Sequence, residues 1–131
     1  MNADKNKHLL TSSQFYLNQE YVLALLADDL VLVSSLLTTY LQTSPYEIEG
    51  LKQAVDAYDL TTIRVRTHRL CGLLRYFGAQ DIEGMLLEME CSYIEANQPK
   101  LQASYLLFLD ATYMLEQEIH GWLEKLGTPL E

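Results

Sequence analysis

Glycine and proline are scarce in this chain, six and three among 131 residues. A β-sandwich or barrel needs many turns and draws on both, so those architectures are excluded. The two cysteines, Cys71 and Cys91, are too few for a disulfide framework. No apolar run approaches the roughly 18 residues that a membrane span requires. The opening stretch MNADKNKHLL has no apolar segment or cleavage site of the kind a signal peptide carries. A cytoplasmic protein whose bundle makes no membrane contact is expected. Basic residues are few as well: nine against eighteen acidic ones, for a net charge of −9. That balance excludes nucleic acid as a partner, because phosphate backbones are bound by positive surfaces. Nucleophilic triads and phosphate-binding glycine loops are absent.

What is present is apolar and periodic. Apolar residues make up 49% of the chain, which a disordered segment does not reach. No repeat, low-complexity tract or composition shift divides it, so residues 1–131 are read as one domain, with a core over about residues 14–127. Charge is unevenly placed. All four arginines, Arg64, Arg66, Arg69 and Arg75, fall within one short segment, and no acidic residue occurs between Asp59 and Asp81. That segment carries +4 of the net −9, so the rest carries −13. Two readings stand: a site for an anionic ligand or acidic partner, or a solvated helix face that uses arginine.

The apolar spacing is helical nearly throughout. A short first helix is predicted over about Gln14–Leu26, and Asp28 or Asp29 can cap the next. That second helix runs to about Tyr58, with Leu30, Val33, Leu37, Leu41, Ile48, Leu51 and Val55 on a 3–4 spacing. Pro45 predicts a kink or short break, since proline removes one i→i−4 bond. Asp59 caps a third helix over Leu60–Phe77, stopped by Gly78. A fourth covers Ala79–Ala96, with Ile82, Met85, Leu86, Met89 and Tyr93 as its stripe. Asn97–Pro99 is read as a turn, and the last helix as Lys100–Leu126, ended by Gly127 and Pro129. Its face Leu101, Tyr105, Phe108, Thr112, Leu115, Ile119, Trp122, Leu126 alternates 4-3-4-3 without a break. Four long amphipathic helices with short connections predict an all-α fold: an antiparallel up-down four-helix bundle with a short extra N-terminal helix.

The third helix concentrates the chemistry. Ile63, Thr67, Leu70, Leu74 and Phe77 form its inward stripe. At about 100° per residue, His68 lies about 130° from the centre of that stripe and points to solvent. Arg64, four residues earlier, and Arg75, seven later, share its face, as do Thr61, Val65 and Gly72. A glycine inside a helix costs about 1 kcal/mol against alanine. At Gly72 it either clears the approach to the imidazole or lets another helix pack closely. The arginines favour a neutral, nucleophilic imidazole and offer charge to a transferred anion; an ordinary surface histidine is the alternative.

The string Thr67-His68-Arg69-Leu70-Cys71-Gly72, followed by Gly78-Ala79, resembles the signature of histidine phosphotransfer (HPt) domains. That signature is a small residue, His-x-Leu-Lys-Gly, and then a Gly-Ala or Gly-x about ten residues after the histidine. The resemblance extends to the helices around the motif, and Leu87-Glu88-Met89-Glu90 sits where the family often has a Leu-Glu pair. The run from His68 to Gly78 is similar to the C-terminal domains of BarA/GacS-type hybrid sensor kinases. The resemblance implies that His68 is phosphorylated, that Gly72 provides clearance, and that Cys71 replaces the family's lysine. Arg64 and Arg75 would then supply the missing charge and Arg69 would help to orient the partner.

The family implies a shuttle. His68 takes a phosphoryl group from the aspartate of a receiver domain in a hybrid sensor kinase and passes it to a response regulator. Val65, with Tyr21 and Leu25 of the first helix, are candidate docking residues. The bundle, expected to be a monomer, needs no cofactor; Mg²⁺ belongs to the receiver. Neither His8 nor His120 has an arginine cluster, so neither is expected to accept phosphate. Two rivals stand beside this reading: a helical adaptor that binds receivers without being phosphorylated, and a zinc site drawn from His68, Cys71, Glu90 and Cys91.

Overall fold

The structure, a computed structural model, describes residues 15–127. Among the described residues it is all-helical, with no strand. Five helices follow one another: α1 (Gln19–Leu25), α2 (Leu30–Ala57), α3 (Leu60–Arg75), α4 (Gln80–Ile94) and α5 (Gln98–Lys125). Neighbours in sequence pack on each other from α2 onward, α5 closes back on α2, and the short α1 leans on α2. The shared core includes Leu37 and Leu51 of α2, Ile63, Leu70 and Leu74 of α3, Ile82, Leu86 and Met89 of α4, and Phe108 and Leu115 of α5, all without solvent exposure. Among the described residues, no single helix is long and apolar enough to cross a membrane.

The first helix is shorter than its apolar pattern predicts. Residues 15–18 are not helical, and the expected start at Gln14 lies outside the described residues. The amides of Tyr16 and Leu17 donate instead to the Glu118 carboxylate on α5, at 3.0 and 2.8 Å. The amide of Asn18 donates to the Phe77 carbonyl at 2.9 Å. Their donors are satisfied outside a helix, so helix formation begins only after Asn18, whose side chain accepts from the Tyr21 amide. Burial pushes the Glu118 carboxyl above its ordinary value, while the backbone donors pull it back down.

Other boundaries move for local reasons. Asp29 caps α2, accepting from the Val31 and Leu32 amides, whereas Asp28 takes a left-handed backbone with φ +60°. Of the kink or short break expected at Pro45, the break does not occur, and α2 runs through it. Pro45 is exposed, so the bond it forgoes lies on the solvent side, while Tyr40, Ser44, Glu47 and Leu51 bury the opposite side. Leu30, expected in the inner stripe, is exposed in the first turn beside the Asp29 corner. Asp59 caps α3 through the Thr62 amide and hydroxyl. These bonds hold its carboxyl below the ordinary value, the hydroxyl bond most of all.

Helix α3 ends at Arg75, two residues before the expected Phe77; the chain then turns through Gly78 at φ +65°. Glycine is required there twice over. The backbone is left-handed, and a Cβ would stand 2.9 Å from the Asn18 Cβ. Helix α4 begins at Gln80 without a side-chain cap and ends at Ile94, inside both expected bounds. Asn97 caps α5 by accepting from the Lys100 amide, and this places Pro99 in the first helical turn, not in the preceding loop. A missing N–H is harmless in that first turn. Gly127 follows α5 at φ +77°, and Pro129 lies outside the described residues.

Candidate functional site

The inward residues of α3 fix what faces out. Ile63, Leu70 and Leu74 are fully buried, and Thr67 is buried with its hydroxyl satisfied by the Arg64 carbonyl at 3.1 Å. With that face committed to the core, His68, Arg64, Val65 and Arg69 are exposed. A Cβ added at Gly72 would meet nothing within 4 Å. No other helix packs closely there, so the glycine leaves open space one turn beyond His68. Gly50 of α2 is the opposite case: a Cβ there would stand 2.6 Å from the Arg66 guanidinium, so its absence lets that side chain lie against α2.

His68 lines a shallow depression of about 500 Å³ together with Arg64, Val65, Thr67, Arg69, Cys71 and Arg75 of α3, and Leu87 and Glu90 of α4. Arg75 also borders a second, smaller depression with Asn18, Tyr21, Gly78, Gln80 and Glu83. Tyr21 is thereby joined to the His68 side through Arg75, whereas Leu25, though exposed, borders neither depression. Leu87 is 58% exposed, more than Val65, and was not anticipated as part of the apolar surface at this site. A larger depression of about 1000 Å³, beside residues 15–20 and the end of α5, shares no lining residue with that of His68.

The positive segment is not left uncompensated, as the local sequence suggested. Each arginine meets a carboxylate from another helix. Arg64 Nε donates to Glu90 at 2.9 Å, and Arg75 Nε lies 3.5 Å from Glu83. Arg66 bonds Glu47 at 3.2 Å and lies over the Tyr46 ring, and Arg69 stands 3.9 Å from the same Glu47. Glu83, Leu87 and Glu90 fall at i, i+4 and i+7 on α4. That spacing puts them on one face and was the available signal for this half of the site.

Cys71 lies mainly in the core, with 8% exposure, and only borders the depression. Burial pushes its thiol above the ordinary value; the Glu83 and Glu90 carboxylates add to the rise and Arg75 opposes it. The thiol therefore stays protonated at neutral pH and brings no charge to the site. Among the described residues, no group of three His, Cys, Asp or Glu is placed to hold a metal ion. His120, half-buried on α5, is not among the residues that line the His68 depression, and His8 lies outside the described residues.

Residues 35–126, more than half of the chain, match the Hpt domain family model. The match takes in α3 through α5 and most of α2. The chain belongs to the Hpt domain family, whose members take part in phosphotransfer within phosphorelays and interact with receiver domains. Neither the curated proteins nor the solved structures compared with the chain give a match.

Proposed function

We propose that this domain is a phosphocarrier in which His68 accepts a phosphoryl group from a receiver aspartate and returns it to the aspartate of a response regulator. The observation that carries the reading is the exposed imidazole of His68, with open space beyond Gly72 and arginines on either side. In the forward step the lone pair of a neutral ring nitrogen attacks phosphorus in line. The P–N bond forms as the bond to the aspartyl oxygen breaks, and the aspartate leaves as a carboxylate. The second ring nitrogen keeps its proton, so the phosphorylated ring carries the positive charge. The reverse step hands the group to another aspartate and restores the neutral ring. The bundle contributes positioning and charge compensation, and the Mg²⁺ that shields the acyl phosphate belongs to the receiver.

Docking is assigned to the exposed apolar residues that line the His68 depression, Val65 and Leu87, with Tyr21 reached across Arg75. The paired order of Arg64 with Glu90 and Arg75 with Glu83 runs oppositely along the two helices, which supports an antiparallel up-down bundle. A cytoplasmic monomer, and an origin at the C-terminal end of a BarA/GacS-type hybrid kinase, complete the proposal. A second reading is favoured by Cys71, which puts a protonated thiol where the family carries a lysine: an adaptor that binds receivers without being phosphorylated. Incubation with phosphorylated receivers, followed by mapping of acid-labile phosphate, separates the two. Label on wild type that is lost in His68→Gln supports the carrier; receiver binding without label supports the adaptor.

A further inference from the structure

The two arginines that flank His68 both face glutamates of α4, seven residues apart, through Nε, the inner nitrogen of the guanidinium: Arg64 donates a hydrogen bond to Glu90 at 2.9 Å, while Arg75 forms a looser ion pair with Glu83 at 3.5 Å. Exposure within each pair is uneven. The Arg64 and Arg75 side chains are 55% and 66% exposed, while Glu90 and Glu83 are 27% and 19% exposed. The carboxylates are the inner, more fixed partners and the arginines stand outward on them. A guanidinium has five N–H donors, only one of them on Nε. An arginine gripped at Nε therefore keeps its terminal nitrogens for a second anion, already ordered about one torsion.

We propose that Glu90 is a positioning residue for phosphoryl transfer at His68: it holds Arg64 by its inner nitrogen so that the terminal nitrogens are presented to the phosphoryl group, and Glu83 steers Arg75 more loosely through their ion pair. The proposal rests on the reading of His68 as the phosphoryl acceptor. It gives the acidic residues a use that their charge alone argues against, since a bare carboxylate beside an incoming phosphoryl group repels it. Holding a long side chain in place before the anion arrives removes part of the rotamer entropy that pairing would otherwise cost.

The test uses phosphoramidate as phosphoryl donor, which reaches the imidazole without receiver docking. The rate of acid-labile labelling is measured for wild type, Glu90→Gln, Glu90→Ala, Arg64→Ala and the double variant Arg64→Ala/Glu90→Ala, each checked for native helix content. Glu90→Ala is expected to slow labelling about two- to fivefold, the scale of an exposed pair. Glu90→Gln keeps an oxygen acceptor for Nε and should recover most of that loss. In the Arg64→Ala background, Glu90→Ala should make no further difference, because the residue acts through Arg64. Faster labelling of both Glu90 variants would show that the carboxylate only repels, and would overturn the proposal. So would unchanged rates, or an equal loss with and without Arg64. Wild type that takes label from neither phosphoramidate nor receivers would remove the carrier reading itself and this inference with it.

Discussion

Gly72 follows His68 by one helical turn, and the space where its Cβ would stand is empty to 4 Å. Substitution there is therefore limited by the helix and by the incoming partner, not by packing. Gly72→Ala should stabilise the fold by about 0.5–1 kcal/mol through helix propensity, read as a rise of several degrees in Tm. Gly72→Phe should leave helix content unchanged yet block transfer from a receiver. Unfolding of Gly72→Phe, with no selective effect on transfer, would contradict the open space described.

On the proposed reading of His68, Arg64 and Arg75 carry the charge that the family's lysine would bring. Replacing both with alanine should slow transfer from a phosphorylated receiver about three- to tenfold at low salt. Two effects combine: the arginine charge is lost, and Glu83 and Glu90 are left unpaired toward an acidic partner. Stopped-flow transfer rates should converge with wild type as salt rises, because exposed charges are screened. Cys71→Lys in the double variant should restore part of the rate. It should also lower Tm, since the lysine stem must leave a mostly buried position to reach the depression.

The two thiols should behave unlike each other. Cys91 is exposed and Cys71 is buried, with its thiol shifted upward by burial and nearby carboxylates. Alkylation at neutral pH, followed by mass spectrometry, should modify Cys91 first and Cys71 only slowly or on unfolding, because the thiolate is the reactive form. Equal rates at the two positions would contradict the burial of Cys71.

Alkaline pH should expose a buried phenol. Burial pushes the Tyr40 hydroxyl from 10.0 up to about 12, and its ring packs edge-on against Phe77 at 4.9 Å. The folded state holds this proton more tightly than the unfolded chain. Stability from it is fully present below pH 10 and is lost as pH rises toward 12. Denaturant midpoints should fall across that window, and Tyr40→Phe should flatten the fall. The tyrosinate absorbance of wild type should rise late, together with Tyr105, which burial and the Asp56 and Glu49 carboxylates also push to about 12.

What the sequence made legible was short-range. The 4-3 stripes of α3 and α5, the Asp59 cap and the outward placing of His68 follow from periodicity within one helix. Features set by a second element were out of reach. Residues 15–18 read as helix because nothing local says that Glu118 takes their amides. The arginine segment read as a bare positive field because its carboxylate partners, Glu47, Glu83 and Glu90, lie on other helices, and which helices pack against α3 is not a local signal. Leu30 sat on the right spacing, but a periodic pattern does not say where the first turn emerges from the core. Pro45 carried a real local cost, which the buried side of α2 and solvent on the other side absorb.

The attachment of Tyr16 and Leu17 bears on the order of assembly. The amides of Tyr16 and Leu17 find their acceptor 102 and 101 residues further along the chain. On the ribosome, Tyr16 and Leu17 emerge well before Glu118 and cannot make these bonds until the final helix has been made. Loop closure over such a span is slow compared with pairing of adjacent helices. These residues are therefore among the last of the bundle to be fastened, and a nascent chain stalled before Glu118 should leave Tyr16 and Leu17 open to protease while the middle helices are already protected.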